Sequence, residues 1–163
     1  MSQATQTTVT AEAVSGLAAD AATPGSLYER LGGTYGIAGA VDILVDRLFA
    51  NVAVNANEAV HAHHGLAANA PGYKFLVTAW SIEAAGGPKC YPGQDMLAAH
   101  DGLNIDTAGF DAVYTEIAAT LSFLGVPCDE HAEFMGIIEK YRPEVVDGVR
   151  VTADQPAGGP VSV

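Results

Sequence analysis

Residues 91–103 read Tyr91-Pro92-Gly93-Gln94-Asp95-Met96-Leu97-Ala98-Ala99-His100-Asp101-Gly102-Leu103. Gly93 and Gly102 bracket a segment of one or two helical turns, and Met96 and His100, four positions apart, share one face of it. This arrangement presents one imidazole beside a soft apolar side chain, and a neutral imidazole nitrogen is a common axial donor to haem iron. A single histidine on an apolar face is more often part of ordinary packing, so the rest of the chain must decide between these interpretations.

The sequence before this segment has a helical pattern. Ser26 and Glu29 form a capping-box pattern for a short helix that Gly32-Gly33 ends. Apolar residues at helical spacing then predict a helix of about four turns, with an inward face made of Ile37, Val41, Leu44, Val45, Leu48 and Val52. Residues 53–71 lack this spacing and are predicted to form an irregular link. A second helix over about 73–85, ended by Gly86-Gly87-Pro88, is predicted to bury Leu76, Val77 and Trp80.

Two more helices are predicted after the segment. Asp106 or Thr107 caps a long helix that Gly125-Val126-Pro127 ends, with inward residues Phe110, Val113, Tyr114, Ile117, Leu121 and Leu124. Asp129 is expected to cap the last helix, with inward residues Phe134, Ile137, Ile138 and Tyr141. No strand pattern is present. The sequence therefore predicts an all-α domain of four substantial helices, packed as two antiparallel pairs face to face.

Length and composition indicate one domain. The chain has 163 residues, and 49% of them are apolar, which is enough for a core. Residues 1–25 are rich in Ala, Thr, Ser and Gln, and residues 148–163 are rich in Gly and Pro, so both ends lack a periodic apolar face. We expect a disordered N-terminal tail over 1–25, a folded domain over 26–147 and a flexible C-terminal tail over 148–163.

The charge excludes several classes of partner. Nineteen acidic and seven scattered basic residues give a net charge of −12, which argues against binding to nucleic acid or an anionic membrane. No apolar run approaches the ~20 residues that span a bilayer, and we find no secretory signal. Cys90 and Cys128 have no metal-site spacing, so two reduced thiols in a cytoplasmic protein are the favoured interpretation, with a disulfide as the alternative.

Taken together, these motifs resemble a group 1 truncated haemoglobin, a two-over-two helical globin, over residues 26 to about 146. The resemblance rests on the residues 26–33, 86–88, 91–96 with His100, 103–105, 110–113 and 124–127. It implies a truncated globin-like two-over-two helical sandwich that holds haem b, with His100 as the proximal iron ligand. It further implies binding of O2, CO or NO, a role in oxygen binding or transport, and a reductase as a candidate partner. The pocket lining that it implies is Met96, Leu76, Val77, Leu103, Ile105 and Phe110.

The gas-binding side departs from many relatives. Val45 stands where they carry a tyrosine, and Val77 lies near the position of a common glutamine. Tyr73 either contributes a hydroxyl to this side or lies at the surface as a helix-start residue. A less polar gas-binding side would weaken oxygen retention and puts rapid nitric-oxide dioxygenation in doubt, although slow dioxygenase or peroxidase-like activity stays open.

Two further departures concern charge and histidine content. The link carries three histidines where relatives place phenylalanines: His61, His63 and His64. A solvated polar loop is the favoured interpretation, with a transition-metal site or a sixth iron ligand as alternatives. Gln94 replaces a basic residue that lies near a haem propionate in many relatives, which leaves Lys74 and Lys89 as the nearby cations.

Three function classes therefore remain. The leading one is a haem protein that binds a diatomic gas. The second is a redox or electron-transfer haem protein whose iron is closed by a histidine of the link. The third is a globin-fold accessory subunit with incidental or no haem, docked to a larger assembly through its tails.

Overall fold

A computed structural model describes residues 25–148, and this part of the chain is all-α, as the sequence predicts. Its α-helices are α1 (Leu27–Arg30), α2 (Gly33–Ala50), α3 (Glu58–His64), α4 (Ala70–Ala84), α5 (Met96–His100), α6 (Thr107–Phe123), α7 (Cys128–Lys140) and α8 (Arg142–Val146). Short 3-10 turns at Val54–Ala56 and Ala67–Asn69 flank α3. Residues 1–24 and 149–163, which make up most of the predicted tails, lie outside the described residues. None of the described helices is long and apolar enough to cross a membrane.

The four long helices form two packed pairs. Helix α2 packs along α4, α6 packs along α7, and α2 also contacts α6, which joins the pairs. The short α5 packs against α8. This arrangement encloses a space between the α2–α4 pair and the α5–α6 side of the molecule.

The predicted apolar face of α2 is confirmed except at its end. Val45 at its centre is completely buried, and the other buried residues of this helix are Ile37, Val41, Leu44 and Leu48. Val52 was expected in the same face but is 84% exposed, because α2 ends at Ala50. Leu124, expected inside, is 37% exposed for a similar reason: it is the C-cap of α6.

The predicted irregular link is partly wrong, because it contains α3. Asn57 caps this helix: its Oδ1 accepts hydrogen bonds from the backbone N–H of Ala59 at 2.9 Å and of Val60 at 3.2 Å. Helix α4 also begins earlier than predicted, at Ala70, since a proline such as Pro71 is tolerated in the first turn of a helix.

The start of α7 also differs from the prediction. Pro127, not Asp129, is the N-cap residue, and Asp129 lies in the first turn beside Glu130. Acidic side chains are favourable there because the helix dipole is positive at its N-terminus. Helix α8, which the sequence pattern did not predict, follows Tyr141.

Glycines dock α1 onto the end of α4. Gly86 has a φ of 84° and ends α4, and the backbone N–H of Tyr28 donates to Ala85 O at 2.8 Å. A Cβ on Gly87 would come 2.7 Å from Cδ2 of Tyr28, so only glycine allows this close approach. At the start of α1, Ser26 Oγ accepts from the N–H of Glu29 as predicted, while the Glu29 carboxylate accepts from Gly25 N.

Candidate functional site

Helix α5 presents His100 in a defined orientation. Asp95 caps this helix, with Oδ1 accepting from Ala98 N at 2.8 Å. The Nδ1 atom of His100 lies 2.7 Å from the backbone oxygen of Met96. Because a carbonyl oxygen can only accept, this contact places a proton on Nδ1, and in the neutral ring Nε2 then has the free lone pair. The side chain is therefore prepared as a nitrogen donor.

His100 lines a cavity of about 1440 Å³, larger than the ~300–1,000 Å³ of most small-molecule sites. The wall is mainly apolar and is built from α2, α4, α5, α6, α7 and α8. Of the residues that the sequence selects, the structure brings seven to this wall: His100, Met96, Tyr73, Leu76, Val77, Ile105 and Phe110.

Three selected residues lie elsewhere. Val45 and Leu103 are buried in the core and do not line the cavity. Lys74 forms ion pairs with two carboxylates of α2, at 2.6 Å from Asp42 and 2.7 Å from Asp46. The hydrogen bonds to Asp42 and then Asp46 raise the pKa of Lys74, so this cation is committed to the surface between α2 and α4.

Tyr73 places a phenol in the cavity wall near the start of α4. Its ring packs against Phe49, with ring centroids 5.9 Å apart and planes tilted by 53°. Burial, and to a lesser degree the nearby Tyr91, raise the pKa of Tyr73 to about 12. The hydroxyl is therefore neutral and keeps its proton throughout the physiological range.

Two features of the site carry no clear sequence signal. The Glu83 carboxylate accepts hydrogen bonds from the backbone N–H groups of Cys90 and Tyr91, which fixes the loop that leads into α5. A glutamate near the end of a helix looks like an ordinary surface residue in the sequence. Trp80 and Tyr141 both line the cavity and meet edge to face, with centroids 5.7 Å apart. Their contact joins α4 to the end of α7, which spacing alone does not reveal.

Two histidines of the link, His61 and His63, are separate from the main cavity. His61 and His63 are exposed on α3, and neither lines the cavity. His63 instead lines an adjoining pocket of about 350 Å³ that shares Tyr73 and Leu76 with the cavity wall. Among the described side chains, which do not include that of His64, no group of three or more His, Cys, Asp or Glu residues could hold a metal ion. Cys90 and Cys128 are free, exposed thiols.

Comparison with known proteins identifies the family. The model of the bacterial-like globins matches residues 26–146. The chain is also 30% identical over 127 residues to the group 1 truncated haemoglobin GlbN of Mycolicibacterium paratuberculosis, covering 78% of this chain and 88% of that protein. The chain belongs to the group 1 truncated haemoglobins. A Synechocystis member of the group is 34% identical over 118 residues, covering 69% of this truncated haemoglobin and 88% of the relative.

Solved structures agree with this assignment. The Fe(III) form of truncated haemoglobin from Tetrahymena pyriformis superposes with a TM-score of 0.62 at 30% identity, covering 74% of this chain and 97% of that one. The two-over-two haemoglobin of a Synechococcus species, in the cyanomet state with covalently attached haem, gives a TM-score of 0.61 at 27% identity, covering 75% and 98%.

The cofactor of this family is haem iron, and the cavity fits it. The space is large and mainly apolar, and it contains one imidazole whose Nε2 retains a lone pair. A flat porphyrin needs such walls, and its iron needs such a donor. This truncated haemoglobin therefore binds haem and, as a member of its family, a diatomic gas.

Proposed function

We propose that Nε2 of His100 is the proximal iron ligand and that the gas binds between the haem and α4. The observation that carries this proposal is the Nδ1 hydrogen bond to Met96 O, made by a histidine in the cavity wall. This bond selects the tautomer that can donate through Nε2 and fixes the ring's orientation, as partners of metal-binding histidines generally do. When bound, haem supplies an iron with an open position for O2, CO or NO.

The other residues of the cavity wall have different roles on its two sides. Met96 and Ile105 belong to the side of the cavity that carries His100, while Leu76 and Val77 belong to α4. Their apolar side chains keep water away from the iron. Tyr73 is the phenol of α4 in the cavity wall, and burial raises its pKa to about 12, so it keeps the proton that a hydrogen-bond donor needs.

This wall favours carbon monoxide over oxygen. Oxygen draws electron density from iron and is retained by a hydrogen-bond donor, whereas carbon monoxide needs little such help. With Leu76 and Val77 apolar and Val45 outside the wall, Tyr73 is the phenol donor on this side, and the same helix adds only Ser81 and the indole N–H of Trp80 among the described residues of the wall. We therefore expect fast oxygen release, ready autoxidation and a strong preference for carbon monoxide.

The test of the iron ligand is a His100→Ala variant, with His131→Gln as the matched control. His131 lies on α7, where its Nε2 contacts Ala118 O at 3.1 Å, and it does not line the cavity. We expect His100→Ala to lose haem and to regain a haem spectrum when imidazole is added, while His131→Gln keeps the wild-type spectrum. An unchanged spectrum and haem content in His100→Ala would show that another residue binds the iron.

The electron-transfer alternative requires a link histidine at the iron, and His61 and His63 do not line the cavity. A reductase partner, slow nitric-oxide dioxygenase or peroxidase-like activity, and a cytoplasmic location remain predictions. The absorption spectrum of the purified ferrous protein distinguishes the two haem functions. A high-spin spectrum that shifts when carbon monoxide is added supports gas binding, and a low-spin spectrum supports electron transfer.

A further inference from the structure

A cation is fixed against one residue of the cavity wall. The guanidinium carbon of Arg142, the first residue of α8, lies 4.2 Å from the centroid of the Phe110 ring. Phe110 is only 7% exposed and lines the cavity, whereas Arg142 does not line it. A cation over a ring face is attracted by the negative face of the aromatic system, and a partly buried site strengthens that attraction.

Two carboxylates determine how this guanidinium is oriented. Nε and Nη2 of Arg142 donate to the two carboxylate oxygens of Glu139, at 2.5 and 2.9 Å, and Nη1 donates to Asp111 at 2.7 Å. A bidentate pair of this kind fixes the plane of the guanidinium as well as its position. The hydrogen bonds to Glu139, and then to Asp111, raise the pKa of Arg142 above its ordinary value, so the group stays charged.

These contacts connect the helices around the proposed iron ligand. Asp111 follows Phe110 on α6, Glu139 belongs to α7 and Arg142 begins α8. Helix α8 packs against α5, the helix that carries His100, and Val145 of α8 lines the cavity. A change at Arg142 would therefore reach both the Phe110 ring and the support of α5.

We infer that Arg142 is a positioning residue for the haem, which holds the Phe110 ring and α8 against the part of the cavity that carries His100. The inference rests on the proposed function. Lysine could keep the charge but not the planar, bidentate contact, because its ammonium group is a point charge on a flexible stem. The two-point contact with Glu139 is therefore specific to arginine.

The test compares Arg142→Gln with Arg47→Gln. Arg47 is a matched control because it pairs with Glu116 at 2.6 Å and lies 5.8 Å from the Phe123 ring, yet Phe123 is 69% exposed and does not line the cavity. Haem loss is measured by transfer to excess apomyoglobin, and the iron–histidine stretching frequency of the ferrous protein by resonance Raman. We expect about tenfold faster haem loss and a shifted frequency in Arg142→Gln, no such change in Arg47→Gln, and only partial recovery in Arg142→Lys.

A double-mutant cycle with Phe110→Leu tests whether the effect passes through the ring. If it does, Arg142→Gln changes haem loss much less when Phe110 is already replaced, because coupled residues are not additive. Two results would overturn this inference alone, provided that the wild-type protein binds haem through His100. One is that the effects of Arg142→Gln and Phe110→Leu on haem loss are fully additive, and the other is that Arg142→Gln and Arg47→Gln lose haem at the same rate. A wild-type protein that takes up haem without an iron–histidine band would overturn the proposed function as well.

Discussion

At the scale of single residues, we expect Tyr73 to influence the gas chemistry, because it lines the cavity. Burial raises its pKa to about 12, so the hydroxyl is lost as a donor only when the pH rises through that value. Below it, the strength of the donor should not depend on pH. Its ring contact with Phe49 restricts where the hydroxyl can point.

We predict that Tyr73→Phe increases the oxygen dissociation rate by up to about tenfold, since a hydrogen bond contributes about 0.5–1.5 kcal/mol and ~1.4 kcal/mol corresponds to a factor of ten. Carbon monoxide dissociation should change little. The control is Tyr114→Phe, a tyrosine of α6 that does not line the cavity. Stopped-flow measurements from about pH 6 to pH 9 should give a constant ratio of variant to wild type. An acceleration confined to a His61, His63, His64→Ala triple variant would instead assign the donor to the link.

The sequence predicts that His100 lies beside Met96, because residues four apart share one face of a helix. In the structure both residues line the cavity. It does not distinguish Leu44 from Val45, of which only Leu44 lines the cavity. Consecutive residues on a helix point about 100° apart, so one apolar face can meet a cavity at one edge and the core at the other. Lys74 could not be placed from sequence either, because its partners Asp42 and Asp46 lie on another helix.

At the scale of elements, α5 depends strongly on its ends. It contains five residues, and isolated helices shorter than ~12 residues are marginal in water. Its fixed points are the Asp95 cap, the loop anchored by Glu83 and the hydrogen bond from Leu103 N to His100 O at 3.2 Å. The orientation of His100 should therefore respond to the loss of a single cap.

We predict that Asp95→Ala and Ser26→Ala each reduce the free energy of unfolding by about 1 kcal/mol, because both remove an N-cap side chain. Only Asp95→Ala should accelerate haem loss, because α5 carries the proposed iron ligand and α1 does not. Urea titrations give the stability and haem transfer gives the rate. Equal rates of haem loss in the two variants would mean that the Asp95 cap does not orient His100.

The long helices were predictable because each has a regular apolar face, and the short ones were less so. Helix α3 is rich in alanine and histidine and has no apolar stripe, so only its cap, Asn57, marks it. Asn57 also donates to Leu103 O at 2.9 Å, which ties α3 to the segment after α5. Helix α8 was not predicted because it has only five residues, one of them Pro143, and so shows no apolar periodicity.

At the scale of the whole molecule, four basic residues of the described part of the chain are held in ion pairs. The net charge is −12, and carboxylates on other helices pair with Arg30, Arg47, Lys74 and Arg142. Within residues 25–148, no lysine or arginine lines the cavity. Gln94 does line it and is exposed. A haem bound here would therefore find no lysine or arginine in the described cavity wall, which instead contains the acidic Asp106.

This arrangement predicts an unusual salt dependence. The acidic groups of haem and the acidic protein repel each other, and salt weakens that repulsion. The Debye length falls from ~30 Å at about 0.01 M ionic strength to ~3 Å at about 1 M. Raising the ionic strength over this range should therefore leave the rate of haem loss unchanged or lower it. Gln94→Lys should slow haem loss about threefold at low salt, the size expected of an exposed ion pair, and that advantage should vanish at high salt. Gln94→Glu is the matched control and should act in the opposite direction. If the wild-type protein instead loses haem much faster as salt is added, a cation must lie at the cavity. Lys74, released from its ion pairs with Asp42 and Asp46, would then be the first residue to replace.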